Sequence, residues 1–118
     1  MGKKTVLLVE DDDAVGEMLR EQLDRHGYVV ERAATLPAAE QAFRDQRFDA
    51  VLLDGSLGYD HTRVDTTDFL RLVKRHGFRG RVIGISGSTA SNCVLCLNGA
   101  DVGIPKTRVA EILTALKR

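Results

Sequence analysis

The chain has 118 residues, of which 43% are hydrophobic and 29% charged, as is typical of one globular domain. Its 17 basic residues balance 17 acidic ones, which argues against a domain-wide nucleic-acid-binding surface, because phosphate binding needs a basic excess. No apolar stretch approaches the roughly 20 residues of a membrane span, and the short apolar run before Glu10 does not suffice for a signal peptide. We therefore expect a cytoplasmic protein with no membrane contact.

Short apolar runs alternate with amphipathic stretches from one end of the chain to the other. The first run, Val6–Val9, is typical of a buried parallel strand. Asp13 is the predicted N-cap of the helix that follows, and Gly27 is its predicted end. The apolar positions of this helix are Val15, Met18, Leu19 and Leu23. Thr35 is the predicted cap of the second helix.

The remaining elements continue the same alternation. The other predicted strands are Tyr28–Arg32, Ala50–Leu53, Arg81–Ile85 and Val102–Ile104. The other predicted helices are Pro37–Arg44, Asp68–Arg75, a short Asn92–Leu97 and Arg108–Leu116. Five strands alternating with five helices predict an α/β fold, a doubly wound parallel sheet with helices on both faces. In such sheets, ligands bind at the carboxyl ends of the strands.

Residues able to carry chemistry follow four of these strands. Glu10 and Asp11 follow the first strand, Asp54 the third, Ser86 the fourth and Lys106 the fifth. Crowded carboxylates raise one another's pKa unless a cation neutralises them, and Mg²⁺ binds through one or two carboxylates while keeping several waters. A metal and an ammonium suit a phosphoryl group, which a carboxylate can accept as an aspartyl phosphate.

These five residues, in this order, resemble the receiver domain of two-component response regulators over essentially the whole chain. The resemblance implies a flavodoxin-like (βα)₅ fold with strand order 2-1-3-4-5. Asp54 in "AVLLDGSL" matches the phosphoacceptor, with Ser86 and Lys106 as its catalytic partners. Asp11, Asp54 and the backbone carbonyl of Ser56 would bind Mg²⁺ or Mn²⁺ directly, and Glu10 would bind it through water.

The resemblance also implies a signalling role. The phosphoryl group would come from a histidine kinase or phosphotransfer protein, and the domain would catalyse only its own phosphorylation and dephosphorylation, so we do not expect an enzyme in the usual sense. We expect a stand-alone receiver over residues 1–118 with no output domain, acting on an unidentified protein partner as a monomer or weak dimer. No direct nucleic-acid contact is expected.

The chain departs from the family pattern at several places. The loop after Leu57, "GYDHTRVDTTDF", is longer than usual, and the fourth helix is predicted to be short or irregular. The family's Lys-Pro step is replaced by Lys106-Thr107, for which a trans bond is expected. Gly103 stands where the family has an aromatic residue whose ring turns inward on phosphorylation.

Two other functions compete with this interpretation. The departures above favour a receiver-like interaction module that signals without phosphorylation. "DDDAV" at Asp11–Val15 also fits the signature of haloacid-dehalogenase phosphatases, with Asp11 as nucleophile and Asp13 as general acid. The pair Cys93 and Cys96 lacks the further ligands of a zinc site, and we expect these thiols to pack within a helix.

Overall fold

The computed structural model describes residues 2–57 and 65–117. Its strands are β1 (Thr5–Val9), β2 (Val29–Ala33), β3 (Ala50–Leu53), β4 (Arg81–Gly84) and β5 (Val102–Gly103). Its helices are α1 (Asp13–Arg25), α2 (Leu36–Asp45), α3 (Thr67–Arg75), α4 (Thr89–Leu97) and α5 (Val109–Leu116). The strands form one parallel sheet in the order β2-β1-β3-β4-β5. The predicted fold class and strand order are confirmed.

Alternate residues of β1 enter two separate cores, one on each face of the sheet. Val6 and Leu8 belong to the core under α1 and α5, whereas Leu7 and Val9 belong to the core under α2, α3 and α4. All four side chains are fully buried. Because both faces are covered by helices, the strand is apolar at every one of these positions instead of alternating with polar residues.

The start of α1 differs from the prediction by one residue. Asp12, not Asp13, is the N-cap, and its Oδ1 accepts a hydrogen bond of 3.0 Å from the backbone N–H of Val15. Asp13 lies in the first helical turn, where its carboxylate pairs with Arg32 at 3.0 Å. Met18, predicted on the buried face, is 37% exposed. The predicted end is confirmed, since Gly27 adopts φ +88°, which favours glycine.

The fourth helix is longer than predicted. It begins at Thr89, because Ser88 caps it by accepting a hydrogen bond from the N–H of Ser91, at 3.3 Å. At nine residues it equals α3 in length, so the prediction of a short helix starting at Asn92 is wrong.

Two glycines that face each other across β4 and β5 let α4 approach the sheet. Gly84 pairs with Gly103 in the strand register. A Cβ at residue 103 would lie 2.6 Å from the Cβ of Asn92, and one at residue 84 would lie 3.0 Å from Leu95 Cδ1. No side chain larger than hydrogen fits at residue 103 unless α4 moves outward.

Two further predictions concern the chain outside these elements. The unusual loop after β3 falls mostly on residues 58–64, outside the described residues. Among the described residues, no helix is long and apolar enough to cross a membrane.

Replacing Gly103 by alanine tests this close approach. The added methyl group would meet helix atoms of Asn92, which cannot give way as a flexible side-chain end could. We expect Gly103→Ala to lower the free energy of unfolding by about 1–3 kcal/mol, the usual cost of overpacking, as measured by urea denaturation. Gly87→Ala is the matched control, because nothing lies within 4 Å of its added Cβ. A control as destabilised as Gly103→Ala would contradict this explanation.

Candidate functional site

The residues predicted at the strand ends meet in one pocket of about 240 Å³. Among the residues that line it are Glu10, Asp11, Asp54, Ser56, Ser86 and Lys106. These residues follow β1, β3, β4 and β5, whose carboxyl ends lie at the same edge of the parallel sheet. The structure therefore brings together every residue that the sequence singled out for the site.

Lys106 connects the two most buried carboxylates of the pocket. Its Nζ donates to Glu10 Oε1 at 2.7 Å and to Asp54 Oδ2 at 3.2 Å. Glu10 is fully buried and Asp54 is 5% exposed. The described residues contain no cis peptide bond, so Lys106-Thr107 is trans, as predicted. The substitution of the family's proline has not prevented the ammonium from reaching Asp54.

The carboxylates are close enough to share a cation. Ligand oxygens of Glu10, Asp11 and Asp54 all lie within 4.8 Å of one another. Hard divalent ions such as Mg²⁺ and Mn²⁺ prefer oxygen ligands of this kind, so the residues fit the metal that the sequence predicts. Ser56 is buried beside them and lines the same pocket.

Burial and charge act on the protonation of this cluster in opposite directions. Burial raises the pKa of Glu10 to about 7, the Asp54 carboxylate adds to the increase, and Lys106 opposes it. Burial alone would lower the pKa of Lys106, but its hydrogen bond to Glu10 and the charge of Asp54 produce a net increase. One ammonium pairs with two carboxylates, so Glu10 keeps its proton until near neutral pH. A bound cation would compensate the remaining negative charge of the cluster.

Backbone hydrogen bonds fix the two central acids to neighbouring strands. The N–H of Glu10 donates to the carbonyl of Ala33 at 3.1 Å, and the N–H of Asp54 donates to that of Val9 at 3.0 Å. The two residues therefore continue the strand pairing by one position, and their side chains are set by the sheet. This arrangement follows directly from the apolar runs that precede each acid.

Three polar residues that support the site were missed by the sequence analysis. The hydroxyl of Thr66, fully buried, donates to the carbonyl of Asp54 at 2.7 Å. Arg32 Nε donates to the carbonyl of Glu10 at 3.1 Å, and Gly16 leaves the space that its guanidinium occupies. Asn92 contacts the backbone of Ser86.

Only one of the three had a readable signal. Asn92 lies three residues before Leu95 and therefore on the same face of α4, so a polar side chain is placed on the face that packs against the sheet. Thr66 and Arg32 act through contacts across the sequence that no local pattern reveals.

The cysteines do not pack as predicted. Cys93 and Cys96 are both free and exposed on α4, and Leu95 fills the interior instead. Burial, with smaller contributions from Cys93 and Asp101, raises the pKa of the Cys96 thiol. A reactive thiol needs the opposite shift, so the environment of Cys96 does not favour its thiolate.

The raised pKa of Glu10 predicts a pH dependence of stability in metal-free protein. Because the folded state binds this proton more tightly, the stabilisation is complete below about pH 4.5 and is lost as the pH rises through about 7. In Glu10→Gln the side chain at residue 10 is an amide that stays neutral at every pH, so its stability lacks this pH-dependent contribution. We expect the difference in free energy of unfolding between the two proteins, measured by urea denaturation with a chelator, to change across this window. A constant difference would contradict the shift.

Comparisons with known proteins agree with this geometry. The sequence model of the family described as "Response regulator receiver domain" matches residues 6–117. The non-phosphorylated receiver domain of HemR from Leptospira biflexa is 30% identical, with a TM-score of 0.80 over 98% of this chain and 93% of that one. Comparison with curated proteins found no match.

Two further structures share the fold. A response regulator from Burkholderia pseudomallei, with a phosphorylated aspartic acid, calcium ion and citrate, is 25% identical, with a TM-score of 0.83 over 96% of this chain and 66% of that one. TrrA from Thermotoga maritima, in complex with Mg²⁺ and BeF, is 20% identical, with a TM-score of 0.84 over 97% and 96% of the two chains. The family match spans nearly the whole chain, and the chain belongs to the response regulator receiver domains of two-component signalling.

Proposed function

We propose that this receiver accepts a phosphoryl group on Asp54 from a histidine kinase or phosphotransfer protein, in a reaction that requires Mg²⁺, and signals by altered binding to a protein partner. The observation that carries the proposal is the position of Lys106, whose Nζ lies within 3.2 Å of both Glu10 and Asp54. An ammonium at this place can neutralise charge on a phosphoryl group attached to Asp54.

The transfer is a displacement at phosphorus. A carboxylate oxygen of Asp54 forms the new P–O bond while the P–N bond to the donor's imidazole breaks. The electron pair of that bond stays on the imidazole nitrogen, which then takes a proton from solvent. Asp54 is a competent nucleophile here because Lys106 and the surrounding pocket reduce its repulsion of the incoming phosphoryl oxygens.

The other residues of the pocket have separate roles in the proposal. Asp11, Asp54 and the backbone carbonyl of Ser56 would hold the metal directly, with Glu10 contributing through water. When bound, Mg²⁺ supplies positive charge that orients and neutralises phosphoryl oxygens. The hydroxyl of Ser86 accepts a hydrogen bond from the N–H of Ser88 at 3.1 Å, and it still has its own proton to donate to a phosphoryl oxygen.

The phosphatase alternative loses its support in the structure. It needs Asp11 and Asp13 to face the same substrate, but the pocket is lined by Asp11 and not by Asp13. The Asp13 side chain is 94% exposed and pairs with Arg32 instead. By contrast, the structure of the Burkholderia response regulator contains a phosphorylated aspartic acid and a calcium ion, which supports the same chemistry at Asp54 of this chain.

The phosphorylation itself can be tested with purified protein, Mg²⁺ and a small phosphodonor. We expect intact mass measurement to detect a base-labile phosphoryl adduct in the wild type and none in Asp54→Asn, because the neutral amide cannot replace the carboxylate as nucleophile. Omitting Mg²⁺ should abolish the adduct as well. If a known receiver is modified in parallel while this protein is not, the phosphorylation-independent interaction module becomes the better interpretation.

The run of acids after β1 allows a matched pair of substitutions. Asp11→Asn removes a carboxylate from the cluster, so we expect Mg²⁺ affinity to fall about tenfold or more, equivalent to about 1.4 kcal/mol, and phosphorylation to slow with it. Asp12→Ala removes the N-cap of α1 and should cost about 1 kcal/mol of stability while leaving Mg²⁺ affinity nearly unchanged. Titration calorimetry and urea denaturation measure the two effects, and equal losses of affinity would contradict the division.

A further inference from the structure

We propose that Asn92 is a positioning residue that holds Ser86 and connects it to α4, so that α4 responds when Ser86 contacts a phosphoryl group. The inference rests on the proposed phosphorylation of Asp54. It assigns to an amide on α4 the connection between the site and the protein surface, in a chain whose β5 carries no side chain at residue 103.

The Asn92 amide pairs with both backbone polar groups of Ser86. Its Oδ1 accepts from the N–H of Ser86 at 2.9 Å, and its Nδ2 donates to the carbonyl of Ser86 at 3.0 Å. Ser86 lies beyond the last paired residue of β4, since the register with β5 ends at Gly84 and Gly103. The amide of Asn92 thus supplies the two hydrogen bonds that a neighbouring strand would have made.

Two glycines of the sheet leave the space that the Asn92 side chain occupies. The nearest atoms that a Cβ at residue 103 would meet all belong to Asn92, the first at 2.6 Å. A Cβ at residue 84 would lie 3.1 Å from Asn92 Oδ1. Gly84 and Gly103 therefore give Asn92 a recess in the sheet surface, and Asn92 itself is only 5% exposed.

The same residues explain why Ser86 and α4 would move together. Separating Ser86 from Asn92 would leave buried amide and backbone groups without partners, at about 1–3 kcal/mol for each unsatisfied group. A displacement of Ser86 toward Asp54 is therefore transmitted to α4 more readily than it breaks the pair. The exposed surface of α4 includes Cys93, Cys96 and Leu97, the last 87% exposed, and α4 contains no charged residue.

Hydrogen exchange of α4 measures this connection directly. Exchange of peptides covering residues 86–97 is followed with Mg²⁺ alone and with Mg²⁺ and beryllofluoride, a phosphoryl mimic. In the wild type we expect the mimic to slow exchange in α4 by about fivefold or more, the lower end of typical coupling factors. In Asn92→Ala the slowing should disappear, although intact mass still detects phosphorylation of Asp54 after treatment with a phosphodonor.

Asn98→Ala is the matched control. Asn98 caps the other end of α4, and its side chain contacts Val94 and Arg71, not Ser86. This variant should retain the slowing. Asn92→Asp keeps the acceptor for the N–H of Ser86 but lacks the donor to its carbonyl, so it should show an intermediate effect and serves if Asn92→Ala does not fold.

The outcomes separate the inference from the proposed function. Equal slowing of α4 in the wild type and Asn92→Ala, or no slowing in a wild type that is phosphorylated, overturns the inference alone. A wild type that acquires no phosphoryl group overturns the proposed function, and the coupling falls with it. Without any phosphodonor, Asn92→Ala should already exchange about fivefold faster around Ser86, because the backbone N–H of Ser86 loses its hydrogen-bond acceptor. Unchanged exchange there overturns the positioning role by itself.

Discussion

The crowding of carboxylates at one edge of the sheet is the constraint on which the site depends. Glu10 and Asp54 are placed by strand pairing, so neither can retreat into solvent to relieve their repulsion. A single ammonium, that of Lys106, bridges them. Burying a charged group away from water is costly unless opposite charge and hydrogen bonds compensate for the lost hydration. One cation does not fully compensate the charge of two buried acids, and the pKa of Glu10 is raised as a result. The same uncompensated negative charge allows the pocket to bind a divalent ion.

The acids from Glu10 to Asp13 have distinct environments, although they are adjacent in the sequence. Glu10 is buried against Lys106, and Asp11 joins it in the carboxylate cluster. Asp12 caps α1, and Asp13 turns outward to Arg32. Arg32 also donates to the carbonyl of Glu10, so one guanidinium ties the start of α1 to the end of β1. The change from strand to helix within these residues points consecutive side chains in different directions, and this makes their separate roles possible.

Most of the fold and the central residues of the site could be predicted from the sequence, because both depend on local patterns. Apolar runs such as Val6–Val9 and Ala50–Leu53 fix the strands, and parallel strands carry their final residues to a common edge. The errors lie where one hydrogen bond decides between neighbours, as with Asp12 and Asp13, or where a serine cap extends a helix, as with Ser88 before α4. The contacts of Thr66 and Arg32 join residues 12 and 22 positions apart in the sequence, and no periodicity encodes them.

The glycine at residue 103 takes on a different meaning once its surroundings are known. From the sequence it is a missing ring, which suggests a lost connection between the site and the surface. In the structure, the absent side chain is the condition for Asn92 to enter the sheet surface, since even a methyl group at residue 103 would meet the Cβ of Asn92 at 2.6 Å. A ring at residue 103 and the amide of Asn92 therefore exclude each other in this packing. Ser86 is therefore connected to α4 by the hydrogen bonds of Asn92, whereas β5 has no side chain at residue 103 that could make such a connection.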